Sequence, residues 1–252
     1  MKQFLVPDAC GTSLEIGGSD FHYLHNVRRL GTGDAFSGID STGNRFHLIV
    51  EEIQARSMRV QVLPAGQIKV DLPEVHLFQC MPKAGKFDQV VRMATEAGVH
   101  CIVPVFSERT QTRIDAKDVP KKMSRWQKII QEAVQQSGSP RVPSIEPPVA
   151  LEKLLRDKAS RLSMMFFHQA PLASESLHEY CSEITKDEGC GICIGPEGGF
   201  SDSEVHLMQA QGWKPGYLGP FVLRTEHAGL YAVAAVQTIL LEMNSWMIRK
   251  TG

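Results

Sequence analysis

Two glycine-bearing segments near the C-terminal end of the chain hold the residues best suited to chemistry. The first segment, residues 194–204, reads "IGPEGGFSDSE" and carries one glutamate, Glu197, inside the turn. Ser201 and Glu204 have the spacing of a capping box, so a helix should begin there and leave free backbone N–H groups beside the turn. Glycine lets the backbone adopt unusual dihedrals and approach a ligand closely. The glycines of this segment are Gly195, Gly198 and Gly199.

The first segment does not match the common nucleotide-binding motifs. It contains no G-x-G-x-x-G followed by a ribose-binding acid, and no Gly-Lys-Ser/Thr of a P-loop. Two interpretations therefore stay open from the residues alone: a tight turn between a strand and a helix, or a loop that holds a ligand.

The second segment, residues 217–236, reads "YLGPFVLRTEHAGLYAVAAV" and places Arg224 and Glu226 where a helix should begin. These two side chains could form a surface ion pair. Alternatively, Arg224 meets a phosphate or polarises a base, and Glu226 orients it or accepts a proton. The helix is rich in small residues, which indicates a close neighbour, either a packed sheet or a partner subunit.

The composition is that of an ordinary globular protein, with 42% hydrophobic and 22% charged residues in 252. No apolar run is long enough to span a membrane, and the N-terminus lacks the apolar region of a signal peptide. The six cysteines form no regular framework, so we expect a cytoplasmic protein with reduced thiols. Cys190 and Cys193 spell C-x-x-C inside an apolar strand, which favours core cysteines over a zinc site or a redox pair. No metal is expected.

The net charge is −1, but positive charge is concentrated in the middle of the chain. Residues 74–141 hold eleven Lys and Arg against seven Asp and Glu. Such a region could contact a phosphate backbone, although a solvated helix face is the simpler interpretation.

The arrangement of predicted elements indicates two domains. Residues 1–72 read as short strands and turns with one helix, residues 19–31, for which Ser19 is the expected N-cap. This pattern predicts a small β-barrel. Residues 73–252 alternate apolar strands with amphipathic helices, which predicts an α/β domain with a parallel sheet and helices on both faces. The boundary should lie near residues 70–74.

Several motifs together resemble the bacterial ribosomal RNA small subunit methyltransferase E family. The pair "IGPEGGFSDSE" and "LGPFVLRTEHA" carries the resemblance most specifically. The stretches "KAGKFDQVVRMATEAGV", "PVFSERTQTR", "RWQKIIQEAVQQSGSPRVPSI" and "HYLHNVRRLGTGD" are similar to further blocks of that family in the same order. The resemblance covers nearly the whole chain.

This resemblance implies a SPOUT-class enzyme that uses S-adenosylmethionine to methylate N3 of a uridine in 16S rRNA, acts as a homodimer and needs no metal. It implies a C-terminal parallel sheet with a deep trefoil knot and an N-terminal PUA-like RNA-binding barrel. Arg224 is expected to stabilise the deprotonated uracil or a flanking phosphate, and Glu226 and Glu197 are expected to orient it. The expected RNA contacts are Arg28, Arg29, Lys83, Lys86 and Arg109. The expected cofactor-binding residues are Ile194, Gly195, Pro196, Gly198, Gly199, Leu218, Gly219 and Leu223.

Three positions depart from the family pattern. Phe221 stands where an arginine or another polar residue is common, His227 changes the usual "TETA" to "TEHA", and Asp8 replaces a basic residue. Because of Phe221, an alternative stays open in which the protein is a non-catalytic RNA-binding or assembly factor. A sibling SPOUT activity, such as ribose or guanine N1 methylation, is a second alternative.

Overall fold

The structure, a computed structural model, describes residues 3–8, 10–67, 72–83, 85–156, 162–185 and 187–243. It forms two compact units, Met1–Val70 with Gln131–Val142, and Asp71–Ile130 with Pro143–Gly252. Residues 68–71, which include the first two positions of the expected boundary at 70–74, lie outside the described residues.

The first unit is built on a five-stranded sheet with the order β1-β3-β4-β5-β2. Its strands are β1 (Phe4–Leu5), β2 (Ser13–Gly17), β3 (Ala35–Ile39), β4 (Asn44–Ile53) and β5 (Ser57–Gln67). Strand β1 pairs with β3 in parallel, and the other neighbours are antiparallel. Alternating apolar residues of these strands form one core, which includes Leu48, Val50, Met58 and Val60.

The helical segment of the first unit differs from the sequence prediction. It begins two residues earlier than the predicted N-cap implies, as α1 (Gly18–Phe21), and continues as a π-helix over His22–Val27. The predicted N-cap, Ser19, is wrong, because Gly17 occupies that position and no side chain caps the helix. Phe21 and Leu24 still bury one face of the segment in the core.

Residues 131–142 pack with the first unit, whereas the sequence division assigned them to the second domain. The side chain of Gln3 is buried there and donates to the carbonyl oxygens of Val134 at 3.2 Å and Ser139 at 2.7 Å. The first unit therefore includes a segment distant in sequence, which local patterns do not reveal.

The second unit contains a parallel sheet with the order β12-β10-β11-β6-β7-β8, and β9 also pairs with β7. Its strands are β6 (Val75–Cys80), β7 (Cys101–Phe106), β8 (Ser144–Ile145), β9 (Val149–Ala150), β10 (Ser163–Phe167), β11 (Cys190–Ile194) and β12 (Lys214–Gly216). The remaining helices of the chain are α2 (Phe87–Glu96), a 3₁₀ turn (Ala116–Asp118), α3 (Val119–Ser137), α4 (Leu151–Arg156), α5 (Leu177–Ser182), α6 (Asp202–Ala210) and α7 (Thr225–Met243).

Helices cover both faces of this sheet, as the alternation of elements predicts. Successive residues of a strand point to opposite faces. Phe78 and Cys80 of β6 belong to a core cluster shared with residues of α4 and α6. On the other face, a Cβ atom added at Gly229 of α7 would lie 3.6 Å from Leu77 and only 2.5 Å from Gln79 Oε1. The α/β prediction is therefore confirmed.

The sequence pattern also predicts helices over residues 174–185 and 225–246, and the structure describes the first stretch in full and the second up to Met243. Helix α5 is shorter than the predicted stretch of residues 174–185 and begins at a capping box built by Ser176 and Glu179. Helix α7 begins where expected, and residues 244–246 of the predicted helix lie outside the described part of the chain. None of the described helices is long and apolar enough to cross a membrane.

Candidate functional site

A pocket of about 400 Å³ lies at the carboxyl ends of neighbouring parallel strands in the second unit. Residues that follow β10, β11 and β12 line it, together with Lys86 between β6 and α2. Ligands of open α/β sheets bind at this edge, because the strand ends and the loops there form a crevice. The lining residues used below are Ile194, Gly195, Pro196, Glu197, Gly199, Leu218, Gly219, Phe221, Val222, Leu223, Arg224, Thr225 and Glu226.

The part of the first segment that connects β11 to α6, here called the first glycine loop, turns sharply. Gly199 has a φ of 67° and its N–H donates to the Pro196 carbonyl at 2.9 Å, a conformation that residues with side chains rarely adopt. The predicted capping box is confirmed, because Ser201 and Glu204 exchange both side-chain to backbone hydrogen bonds. No described atom lies within 4 Å of the Cβ position of Gly199, so the loop leaves open space on that side.

The turn that follows β7 forms hydrogen bonds with the first glycine loop and with the start of α6. Arg109 Nη1 donates to the carbonyl oxygens of Gly198 and Phe200, both at 3.0 Å. The Glu204 carboxylate accepts from the Glu108 N–H at 2.7 Å. Arg109, which the sequence assigns to RNA, therefore binds the loop with its guanidinium.

Gly198 is placed differently from the other predicted cofactor residues. Its carbonyl accepts from Arg109, and a Cβ atom added there would lie 3.4 Å from the Arg109 Cβ. Gly198 is not part of the pocket lining. It faces the supporting turn because its peptide is turned toward the guanidinium, whereas the other seven predicted residues line the pocket.

The part of the second segment that connects β12 to α7 is here called the second glycine loop. A buried hydrogen bond joins it to the first glycine loop. Gly219 has a φ of 103°. At the start of α7, the Thr225 hydroxyl donates to the Gly195 carbonyl at 2.5 Å and accepts from Gln79 Nε2 at 3.1 Å. Local sequence patterns do not indicate a role for Gln79, and for Thr225 they offer only its position between Arg224 and Glu226.

Glu226 is buried beneath the pocket and forms an ion pair with Lys86. The residue is only 3% exposed, and Lys86 Nζ donates to Glu226 Oε1 at 2.8 Å. Burial alone would raise the pKa of Glu226, but hydrogen bonds from Lys86 and from the backbone, together with the charge of Lys86, outweigh it and hold the pKa below its ordinary value of 4.5. The second oxygen, Oε2, has no hydrogen-bond partner among the described residues. Glu226 is therefore an ionised group.

Arg224 lies on the pocket wall with its side chain exposed. The alternative of an Arg224–Glu226 ion pair is wrong, because Glu226 pairs with Lys86 instead. Within the described part of the chain, the Arg224 guanidinium has no hydrogen bond or ion pair. Glu197 also lines the pocket, but its Oε1 accepts from the Lys83 N–H at 2.8 Å. Neither glutamate is seen to orient Arg224.

The predicted RNA residues have different surroundings. Arg28 and Arg29 are exposed in the first unit, after the π-helix, and Arg29 has a φ of 60°. Lys83 is exposed in the second unit. Lys86 pairs with Glu226, and Arg109, although exposed, binds the first glycine loop. The remaining exposed cations of the predicted set are Arg28, Arg29 and Lys83.

The cysteines of the C-x-x-C stretch are core residues. Cys190 and Cys193 are fully buried in β11, and burial raises the pKa of both thiols well above the ordinary value. No group of three or more His, Cys, Asp or Glu in the described ranges is arranged to hold a metal ion.

The fold is that of an α/β protein with a pocket at the carboxyl edge of a parallel sheet, and comparisons with known proteins specify the class. Residues 70–237 match the family described as RNA methyltransferase domain. A ribosomal RNA small subunit methyltransferase E from Bacillus subtilis is 29% identical over 91% of this chain and 92% of its own length. One from Synechocystis is 28% identical over 88% of this chain and 72% of its own.

A solved structure supports the same fold. A Legionella pneumophila protein, assigned as a methyltransferase and in complex with the cofactor SAM, matches with a TM-score of 0.81 at 29% identity, over 94% of this chain and 97% of that chain. The chain therefore belongs to the RNA methyltransferase family, and the resemblance to ribosomal RNA small subunit methyltransferase E seen in the sequence is confirmed.

Proposed function

We propose that this protein transfers a methyl group from S-adenosylmethionine to N3 of a uridine in 16S rRNA of the small ribosomal subunit. The observation that carries the proposal is the junction of two glycine loops at one pocket, through Thr225 and Gly195, in a chain of the RNA methyltransferase family. The relatives named as ribosomal RNA small subunit methyltransferase E support rRNA as the substrate.

The pocket fits S-adenosylmethionine in size and chemistry. About 400 Å³ is within the range of pockets for small ligands, roughly 300 to 1,000 Å³. Ile194, Leu218 and Leu223 offer apolar surface, and the positive-φ glycines Gly199 and Gly219 have open space where a side chain would project. When bound, the cofactor supplies a methyl group that is already activated on a sulfonium. We assign its binding to these residues with Gly195 and Pro196.

The protein must also align the uracil and favour release of its N3 proton to water, so that N3 can accept the methyl group. Arg224 suits this role, because its exposed guanidinium can donate to the negative charge that develops on the base. Glu226 has a lowered pKa and is therefore a weak base, so we assign it to holding Lys86 at the pocket. Glu197 is assigned to fixing the backbone at Lys83 beside the pocket.

Further features of the proposal rest on the family resemblance. We propose that the two glycine loops belong to a trefoil knot, that the five-stranded sheet of the first unit is a PUA-like RNA-binding barrel, and that the protein works as a homodimer in the cytoplasm. We also propose that it needs no metal. The hydrogen bond between Thr225 and Gly195 supports a close association of the loops.

The experiment that tests the function uses the purified protein, S-adenosylmethionine with a deuterated methyl group, and small ribosomal subunits from cells that lack this activity. Digestion to nucleosides and mass spectrometry should give deuterated 3-methyluridine. A deuterated methyl group on ribose or on guanine N1 would show that the protein has the target of a sibling SPOUT enzyme instead. Cofactor binding by titration calorimetry without any transfer would favour the non-catalytic alternative.

A further inference from the structure

Two large apolar side chains project from the second glycine loop at the mouth of the pocket. Phe221 is 80% exposed and Val222 is 81% exposed, and both residues line the pocket. They are the most exposed large hydrophobic residues in the described part of the chain. Neither contributes to a core cluster, so their side chains are not explained by the stability of the fold.

The position of these side chains separates them from ordinary surface hydrophobics, which occur singly and need no explanation. Phe221 and Val222 are adjacent, and Leu223 and Arg224 continue the same wall of the pocket. An exposed aromatic ring followed by an exposed guanidinium, beside a ligand pocket, combines a flat apolar surface with a positive charge.

We propose that Phe221, supported by Val222, is a stacking surface for an unpaired nucleobase of the RNA substrate, next to the position where the target uridine enters the pocket. This inference rests on the proposed function and names a contact of the same site. Proteins that hold single-stranded RNA stack bases on aromatic rings and neutralise phosphates with cations. Arg224, which acts on the target uracil in the proposed function, places its positive charge beside the same nucleotide segment.

An unpaired base fits this surface better than an apolar partner surface does. The apolar area consists of two side chains, and it is continuous with a polar wall that includes Arg224 and Glu197. A base presents two apolar faces with polar edges and a charged backbone, and therefore matches both parts. Duplex RNA would not expose such a face, so the contact also selects a single-stranded target.

A fluorescence experiment tests the stacking directly and does not require turnover. The Phe221→Trp variant is titrated with single-stranded oligouridine and, as the matched control, with an abasic oligonucleotide of the same length. The wild-type protein provides the background from its own tryptophans. We expect quenching by oligouridine and none by the abasic strand, because the two share phosphates and differ only in bases. Equal quenching by both strands, or none by either, would overturn the proposal.

A kinetic experiment tests its consequence for the reaction. With undermethylated small subunits, Phe221→Ala should raise KM for the subunit about tenfold, the scale of losing one stacked base. Phe221→Tyr should keep the wild-type KM. Cofactor affinity by calorimetry and the oligomeric state should not change. Leu207→Ala, which removes an apolar side chain 50% exposed on α6 outside the pocket, is the control.

Each remaining outcome contradicts the stacking contact. An unchanged KM would show that the ring does not touch RNA, and an equal loss of cofactor affinity would show that it covers the cofactor. Dissociation into monomers would show that it lies between copies of the chain. Failure of the wild-type protein to methylate any RNA would instead contradict the proposed function, so the two failures are distinguishable.

Discussion

Arg224 and Gly199 line the same pocket but should act at different steps. Arg224→Ala is expected to lower turnover roughly 100-fold, the scale of losing one charge-stabilising donor, and to leave cofactor affinity nearly unchanged. Arg224→Lys should restore activity only in part, because an ammonium lacks the planar fork. Gly199→Val should abolish cofactor binding, since a β-branched residue disfavours a φ of 67° and its side chain enters the open space of the pocket.

Calorimetry with S-adenosylmethionine and single-turnover methylation separate these two effects. The reverse pattern, in which Arg224→Ala abolishes cofactor binding and Gly199→Val spares it, would show that the roles of the two loops are exchanged. Gly66→Val is a suitable control for the backbone effect, because Gly66 also has a positive φ but is not one of the residues that line the pocket.

The ion pair between Lys86 and Glu226 should make stability depend on pH. The folded protein holds the pKa of Glu226 below 4.5, so its ionised form stabilises the fold above that pH. The contribution is lost as the pH falls through the lowered pKa. Glu226→Gln should therefore lower Tm by about 2 to 4 °C at neutral pH, the equivalent of about 1 kcal/mol. The difference in Tm between this variant and the wild-type protein should disappear at acidic pH.

Thermal unfolding followed by circular dichroism at a series of pH values checks this expectation. Glu242→Gln changes an exposed glutamate on the same helix and should leave Tm close to that of wild type at every pH. A Tm difference for Glu226→Gln that is constant with pH would mean that the substitution disturbs packing and not the charge of the pair.

Local residue patterns could predict part of this site. The glycines and the Ser201–Glu204 capping box are readable because their interactions lie within a few residues. The pairing of Lys86 with Glu226 joins residues 140 positions apart, and that of Gln79 with Thr225 joins residues 146 apart. No local spacing specifies such contacts, so the sequence assigned Lys86 to RNA and missed Gln79.

At the scale of elements, the turn after β7 should stabilise the conformation of the first glycine loop. Arg109→Gln removes the donor to Gly198 and Phe200. Hydrogen bonds that involve a charged group contribute roughly 1.5 to 3 kcal/mol, so cofactor affinity should fall at least about tenfold. The salt dependence of RNA binding should not change, because the guanidinium is already occupied within the protein.

The matched control for this variant is Arg113→Gln, four residues along the chain. Arg113 lies over the Phe106 ring, with its Cζ atom 5.8 Å from the ring centroid, and has no bond to the glycine loop among the described contacts. Calorimetry and salt titrations on both variants separate the two roles. A lower salt slope for Arg109→Gln with unchanged cofactor affinity would restore the RNA role predicted from sequence.

Elements with strong periodicity were predictable, and irregular ones were not. Helix α2 follows its apolar spacing, and Gly98, with a φ of 77°, comes directly after its C-cap residue, Ala97. The segment after Gly17 has a helical pattern but forms a π-helix over His22–Val27. An inserted residue of that kind depends on how Phe21 and Leu24 fit the core, which sequence spacing does not show. The order of strands is likewise set by long-range packing.

For the whole molecule, RNA binding should depend on salt through cations in each unit. Every phosphate contact that is lost reduces the slope of log K against log salt by about one unit, or somewhat less for single strands. We expect this reduction for Arg28→Gln, Arg29→Gln and Lys83→Gln, whose parent side chains are exposed. Filter binding of rRNA fragments over a salt series measures it. Unchanged slopes in all three variants would place the RNA-binding surface elsewhere.

The small residues of α7, which the sequence offered as a reason to expect a homodimer, pack inside the second unit. The small residues Gly229 and Ala232 of α7 are buried, and Gly229 packs against β6 of the sheet. The opposite face of α7 carries Tyr231, Ala234 and Leu241, which are exposed at helical spacing. A groove between α2 and α7, lined in part by Met93, Leu230 and Leu241, adjoins this face.

A second copy of the chain should cover this face of α7, because closed two-fold pairs are the commonest oligomers and the family resemblance implies a dimer. Tyr231 is 54% exposed, so Tyr231→Glu should leave the fold intact but place a charge in the apolar contact and shift the protein to monomers. Leu207→Glu, which introduces the same charge at an exposed apolar position of α6, should remain dimeric. Light scattering at micromolar concentration measures both variants, and circular dichroism verifies their folding. A wild-type protein that is monomeric and fully active under these conditions would contradict the prediction, whereas a dimeric Tyr231→Glu variant would place the interface on another face.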